Sequence, residues 1–420
     1  MMKQVWWLFL FLPALAGGVD LLALVRQSPA FRDLEAERVQ ARLSLEAAWA
    51  GLAPTLTPQG SYARTPLGQE TLSLGVGGSL PLLPWGPAQD NLEAAKRAYR
   101  QTLLDIKAQE NALFQKVLSQ YLEAYLAELD LGVARKALEL GEAQFKAVEA
   151  QQARGQATFQ AFLEAQASLA QAQAETLQAE LSWNLAKARL EASLGTQVEP
   201  VPLSLPQTLP TLDEALAARE RRPDVQKARL ALEDAEALLA QARRDRFFPS
   251  VSLGVSVAEG PGSLGVSLDL KTGQLGYSLQ YSSGKSQSQT SLQLQASLPL
   301  LQPSQDAALA LREGAVVQAR RNLANALVTA ELDLRSKHQA LQQAQGQLEV
   351  VAKSLQAAEN SLDNARRRLA AGTGTALEVK QAELGLLQAQ RAWEGARAGL
   401  LQAYYALLDA MGESLLGGEE

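Results

Sequence analysis

Residues Leu327 to Leu369 read LVTAELDLRSKHQALQQAQGQLEVVAKSLQAAENSLDNARRRL. Leucine recurs there at every seventh position: Leu327, Leu334, Leu341, Leu348, Leu355, Leu362 and Leu369. Three residues after most of these stands something small or β-branched (Ala330, Ala344, Val351, Ala358, Ala365), and only Lys337 breaks the second row. A sustained seven-residue period keeps one seam of a helix facing a partner, as in a coiled coil. Alanine in the second row lets the two helices approach closely. No proline follows Pro303, so the spacing predicts one helix over 304–371, about 100 Å long at 1.5 Å per residue. That is far beyond globular helix lengths, and it points to shape rather than chemistry.

Outward from this helix the pattern changes. Gly372-Thr373-Gly374-Thr375 ends it, and a return helix over 375–411 closes on Gly412. Before it, alternating runs predict strands over about 250–298: Val251, Leu253, Val255, Val257; Leu264, Val266, Leu268, Leu270; Leu275, Tyr277, Leu279, Tyr281; Leu292, Leu294, Ala296, Leu298. Ser, Gly and Gln fill the other face. The first half carries the same plan. A helix over Leu21–Gly51 leads to strands over about 54–80, with a turn at Pro66-Leu67-Gly68. A long helix over 88–153, a break at Gly155 and a return helix over 158–194 capped by Gly195 follow. A Pro-rich linker, 196–211, separates the halves, and a helix over Leu212–Arg246 opens the second. Shifting the first half by about 217 places Gly155 on Gly372, Thr158 on Thr375 and Gly195 on Gly412. The chain is therefore a tandem duplication, residues 17–195 and 212–412, with a tail over 413–420.

Composition limits what this frame does. Among 420 residues there is no Cys, one His and three Met, which leaves no disulfide framework and no thiolate metal site. The net charge of −6 gives nucleic acid no basic patch. The G-x-G-x-x-G at Gly260–Gly265 precedes a strand rather than a helix, so it is not read as nucleotide-binding. His338 stands alone on a helix, and no catalytic constellation is visible. The expectation is no enzyme, no cofactor and no metal. Residues 1–16 carry Lys3, an apolar run from Val5 to Leu12 and Ala14-Leu15-Ala16, which reads as a secretory signal peptide.

An exported chain whose strands alternate aliphatic with Ser, Gly, Thr and Gln suits two surroundings. One is a sandwich with a wet face, and the other is a barrel with lipid outside and water inside. Trp49, Trp85, Phe247 and Phe248 sit at helix–strand junctions, where a membrane-interface girdle would fall, and favour the barrel. One chain has too few strands to close a water-filled barrel, so several copies must contribute.

At this point the sequence resembles the TolC outer-membrane efflux family over essentially all of the chain after the leader. The helix-to-strand passages Ala48-Trp49-Ala50-Gly51-Leu52-Ala53-Pro54 and Ala242-Arg243-Arg244-Asp245-Arg246-Phe247-Phe248-Pro249-Ser250 carry the likeness, as does Arg222-Pro223-Asp224-Val225. The reversal Arg368-Leu369-Ala370-Ala371-Gly372-Thr373-Gly374-Thr375-Ala376-Leu377-Glu378-Val379 resembles the family's G-T-x-T-x-x-D-V periplasmic tip. The resemblance implies a mainly α protein with membrane β. Three copies of four strands would form a 12-stranded outer-membrane barrel continuing into a coiled-coil α-helical barrel in the periplasm. It implies a homotrimer in outer-membrane lipid that works with a periplasmic adaptor and an inner-membrane pump. Drugs, small toxic molecules or exported proteins would pass through it.

The family often has two Asp forming rings at the periplasmic entrance. The matching positions here are Glu378 and Gln381, with Glu164 as a first-repeat candidate for a second ring. First-turn carboxylates are also favoured by the helix dipole alone. Gly155, Gly372, Thr373, Gly374 and Thr375, with Arg366, Arg367 and Arg368, are candidates for the tip and for adaptor docking. A solvated charge cluster at a helix end is the other reading of the arginines. The strands over Leu264–Tyr281, around Lys271-Thr272-Gly273, exceed the implied four and are read as an external hairpin, two extra barrel strands being the alternative. The competing function is an exported coiled-coil protein, or a periplasmic adaptor, with a β-sandwich head.

Overall fold

A computed structural model describes residues 21–64, 70–283, 288–298 and 301–417. The expected leader and the turn at Pro66-Leu67-Gly68 lie outside these residues. In chain order the elements are α1 (Leu21–Gln27), α2 (Pro29–Ala50), β1 (Thr57–Arg64), β2 (Glu70–Pro81), α3 (Pro87–Ala153), α4 (Phe159–Leu194), α5 (Leu212–Ala217) and, after one 3-10 turn, α6 (Pro223–Phe247). Then come β3 (Ser250–Glu259), β4 (Gly262–Asp269), β5 (Gln274–Ser282), β6 (Gln289–Ser297), α7 (Pro303–Ala370) and α8 (Ala376–Ala410). Among the described residues no helix is long and apolar enough to cross a membrane.

The heptad stretch is one helix of 68 residues, α7. The two segments expected to open each half as single helices are instead broken. Ser28 interrupts the first: it is buried, its Oγ accepts from the Phe31 amide at 3.3 Å, and Pro29 starts α2. Proline lacks the N–H that a helix interior requires and is tolerated in its first turn. Arg222 interrupts the second, at φ −60° and ψ 137° before Pro223. Proline's ring disfavours the α region for the residue preceding it.

The chain divides into two compact units. One comprises residues 21–35, 107–222 and 330–417. Its core shows why leucine holds the seventh positions. Leu334 and Leu341 of α7 are buried with Leu400, Leu407 and Ala410 of α8 and Ala215 of α5. A second cluster joins Phe114, Leu118, Tyr121 and Leu122 of α3 to Leu190 and Leu194 of α4 and Val25 of α1. The Pro-rich stretch packs here through its backbone, which must find partners once buried. Tyr121 Oη accepts from the Val201 amide at 2.8 Å, and Arg397 donates to the Leu203 carbonyl at 2.9 Å. The segment expected only as a tail is also core, since Leu415 and Leu416 are buried in the second cluster.

The other unit comprises residues 36–106 and 223–329. It contains one six-stranded antiparallel sheet of order β1-β2-β5-β4-β3-β6. This corrects the external-hairpin reading. β4 and β5 are inserted between the two outer hairpins as full members of the sheet, and the chain brings six strands rather than four. Their connecting turn does not project outward. It sits at the helix-bearing end, where the Gly273 carbonyl accepts from the Leu82 amide at 2.9 Å and the Leu270 carbonyl from Trp85 Nε1 at 2.9 Å. Beside the sheet, α6 is flanked by ion pairs to both long helices, including Arg97–Asp234 at 3.0 Å, Arg320–Glu236 at 3.0 Å and Arg243–Glu313 at 3.0 Å.

Candidate functional site

The sheet has two chemically distinct faces. Register places Leu74 opposite Tyr281, Val76 opposite Leu279, Leu264 opposite Val257, Val266 opposite Val255 and Leu253 opposite Leu294. Directly opposed residues share a face, so one aliphatic surface runs across β2, β5, β4, β3 and β6, and β1 adds Pro58, Gly60 and Tyr62 to the same side. It is open: Leu74 is 53% and Leu294 69% exposed. The opposite face carries Ser73, Gly75, Ser278, Gly276, Ser267, Gly265, Ser256 and Gln293. Shallow depressions lined by these small polar residues lie on that side. Such a layer suits lipid on one side and water on the other.

The predicted aromatics gather at the helix-bearing end of the sheet. Trp85 meets Phe248 edge-on with centroids 6.3 Å apart. Trp49 and Phe247 are exposed and carry cations over their rings, Lys96 Nζ at 5.1 Å and Arg246 at 5.4 Å. An apolar ring beside a charge is the chemistry of a membrane–water boundary.

The helical reversals are duplicated to the level of single hydrogen bonds. At the first, the Gln156 amide donates to Gln151 and the Gly155 amide to Gln152, each at 2.8 Å. At the second, Thr373 donates to Arg368 at 2.9 Å and Gly372 to Leu369 at 3.0 Å. This paired pattern requires a left-handed residue, and Gly155 and Gly372 have φ of 72° and 71°. Thr158 Oγ1 accepts from the Ala161 amide and Thr375 Oγ1 from the Glu378 amide, both at 3.2 Å. Both threonines are N-caps.

At the second reversal Glu378, Gln381 and Arg368 line one groove with Ala358, Asn364 and Gly385. Arg368 pairs with Glu378 at 3.3 Å, Arg367 with Asp363 at 2.6 Å and Arg366 with Glu383 at 3.4 Å. The charge cluster is thus engaged with its own hairpin. Glu164 is not drawn into this group; it accepts from Gln160 on its own helix at 3.0 Å.

An ion-pair network above the tip was not foreseen. Lys136 of α3 lies 2.9 Å from Glu139 and 3.0 Å from Glu383 of α8, and Lys380 of α8 lies 2.9 Å from Glu139. Hydrogen bonds from Lys380 and then Lys136 hold the Glu139 carboxyl down at about 2. The hydrogen bond from Lys136, its largest cause, lowers Glu383. Higher up, Arg391 of α8 forks onto Asp130 of α3 at 2.6 and 2.8 Å. These contacts tie the repeat-one hairpin to the repeat-two hairpin across more than 200 residues of sequence. Nothing in local spacing announces them.

Duplicated helical hairpins and, in the same chain, a sheet with one exposed aliphatic and one small polar face define the class: a mainly helical protein with a β-region suited to a membrane. The chain belongs to the outer membrane efflux protein family, whose model matches residues 22–196 and 216–413. It is 27% identical over 340 residues to the pyoverdine export outer membrane protein OpmQ of Pseudomonas putida, covering 78% of this chain and 67% of that protein. Its fold is similar to that of the outer membrane protein VceC of Vibrio cholerae, with a TM-score of 0.68 at 20% identity, covering 94% of this chain and 95% of that one. The CmeC outer membrane channel of Campylobacter jejuni gives 0.69 at 18%, covering 93% and 84%. The protein is accordingly an outer-membrane efflux protein, with its helical domain in the periplasm.

Proposed function

We propose that the protein is the exit duct of a tripartite efflux or type I secretion assembly, a passive conduit for drugs, small toxic molecules or exported proteins. The observation that carries this reading is the sheet. Its aliphatic face is continuous and uncovered, and its outermost strands, β1 and β6, each pair on one side only. An exposed apolar sheet with two open edges is an aggregation hazard in water. Closure by further copies within lipid removes both edges and covers the face. A homotrimer is the assembly the family suggests, and stripes such as Leu177, Leu181 and Leu185 on α4 offer apolar contact to a neighbouring copy. The adaptor and inner-membrane pump would engage the tips, at Gly155, Gly372 and the groove beside Glu378, and would have to loosen the network linking α3 to α8.

The coiled-coil alternative with a β-sandwich head is disfavoured by the single layer, because a sandwich needs a second sheet against the apolar face. The test is single-channel recording of detergent-purified protein in planar bilayers. Uniform steps from a heat-modifiable trimer are expected. A monomer that never needs detergent and conducts nothing would overturn the reading. In the same recordings, Glu378→Gln should weaken cation preference if Glu378 lines the entrance, with Glu164→Gln as the comparison for the first repeat.

A further inference from the structure

We infer that the β4–β5 hairpin is part of the barrel wall. Three copies of six strands then close with eighteen rather than twelve, giving the outer-membrane end a bore about half as wide again, since barrel diameter grows roughly linearly with strand number. The inference rests on the exit-duct reading and deepens it toward bulky cargo, exported polypeptides included.

Three observations carry it. First, the hairpin is hydrogen-bonded on both sides: β5 pairs with β2 from Ser73↔Ser282 to Pro81↔Gln274, and β4 with β3 from Ser252↔Asp269 to Glu259↔Gly262. A hairpin projecting from the wall would leave β2 and β3 paired to each other. Second, its sidedness matches its neighbours. Leu264, Val266, Leu268, Leu275, Leu279 and Tyr281 continue the aliphatic face, and Leu264 and Leu279 are 50% and 59% exposed on it. On the polar side Gly265 opposes Ser278 and Ser267 opposes Gly276, so closely that a Cβ on either glycine would fall 2.7 Å from the facing serine Oγ. Small side chains there keep the inner surface open. Third, every neighbouring pair is antiparallel, so with an even strand count β1 of one copy meets β6 of the next antiparallel as well. Insertion of a whole hairpin preserves that closure, whereas one extra strand would not.

The chain has no cysteine, so single thiols report without background. In the full chain reconstituted in lipid vesicles, Ser267→Cys and Ser278→Cys are expected to react with a charged methanethiosulfonate. Leu264→Cys and Leu279→Cys should react only with a lipid-soluble maleimide. In planar bilayers the charged reagent should lower the current of the serine-site variants alone. Polyethylene glycols added on the strand side should be excluded at a diameter about 1.5 times that of a variant lacking residues 262–282. Equal reactivity of both faces with unaltered current would overturn the inference, as would an unchanged exclusion size in a deletion variant that still conducts. If the deletion variant does not assemble, the thiol pattern decides. The vesicle labelling needs no current. A protein that labels as expected yet never conducts, even with Arg391→Gln loosening the α3–α8 contact, would sink the exit-duct reading and leave the wall placement standing.

Discussion

The Tyr277 ring on β5 lies across Gly78 on β2, directly opposite it in register, and its hydroxyl donates to the Thr55 carbonyl. An added Cβ at Gly78 would collide first with the Thr55 carbonyl oxygen and would also fall 2.7 Å from Tyr277 Cζ. An aromatic side chain laid over a strand glycine restores packing that the glycine lacks, and here it joins the inserted hairpin to the first-repeat strands. Gly78→Ala is therefore expected to destabilise the assembly by about 1–3 kcal/mol through overpacking. Tyr277→Phe keeps the cover, loses the hydrogen bond and should cost about 1 kcal/mol. Midpoints of thermal trimer dissociation on gels, in the order wild type, Tyr277→Phe, Gly78→Ala, would bear this out. A Gly78→Ala protein as stable as wild type would contradict it.

The forked Arg391–Asp130 pair and the Lys136–Glu139–Lys380–Glu383 group all join α3 to α8. Under the exit-duct reading these are restraints on the helical end. Arg391 is part-buried and bidentate, a geometry that lysine cannot reproduce. We predict that Arg391→Gln raises the open-to-closed ratio in bilayers about five-fold, the equivalent of about 1 kcal/mol for a partly exposed pair. Arg391→Lys should fall between that variant and wild type. High salt should shrink the difference, because exposed charges are screened. Identical gating in all three proteins would mean that this pair restrains nothing.

The pH dependence of this restraint follows from its signs. Glu139 is held at about 2, below its ordinary 4.5, so its contribution is complete above about pH 5 and disappears as pH falls through 2. Lys136 is raised above its ordinary 10.5, chiefly by its hydrogen bond to Glu139. Its contribution is complete below that value and disappears only as pH rises through the raised one. The network should therefore be indifferent to pH between about 5 and 10. Conductance recorded from pH 5 to 9 is expected to be flat, rising only in strong acid. A transition near neutrality would place the sensitive group elsewhere.

The sequence made the helical part legible because its signals are local. The heptad at Leu334 and Leu341, the glycines at the reversals and the cap threonines each act within a few residues of themselves. The apolar and polar faces of the strands were equally readable, since period two needs no partner to be seen. What stayed hidden depends on distant neighbours. Strand order is settled by pairs such as Val76↔Leu279, and alternation in Leu264–Tyr281 fits a wall strand and a projecting hairpin alike. The breaks at Ser28 and Arg222 were signalled by the prolines that follow them, but the helical period continued on both sides. Glu378 and Gln381 line one groove and Glu164 bonds Gln160 on its own helix, but a ring of carboxylates is made by several copies together, and neither one sequence nor one chain displays it.

Asn111 is fully buried on α3. Its amide nitrogen donates to Asp409 Oδ1 at 2.7 Å and to the Glu413 carbonyl at 2.9 Å, and its oxygen accepts from the Leu415 amide at 3.0 Å. One side chain thus satisfies the backbone of the segment that follows α8 and positions Leu415 and Leu416 in the core. Arg26 of α1 donates to the Leu416 carbonyl and holds the same segment from the other side. Asn111→Leu is nearly the same size but leaves a buried amide and a carbonyl without partners, at about 1–3 kcal/mol each. Asn111→Asp keeps the acceptor for Leu415 while placing a second carboxylate against Asp409. Both substitutions should release the chain end, read as faster amide exchange over residues 413–417 and earlier trypsin cleavage after Arg26. Leu416→Ala should release it by cavity formation instead, at about 2–5 kcal/mol. If Asn111→Leu leaves exchange at Leu415 as slow as in wild type, the apolar contacts of Leu415 and Leu416 hold the segment without the amide clamp.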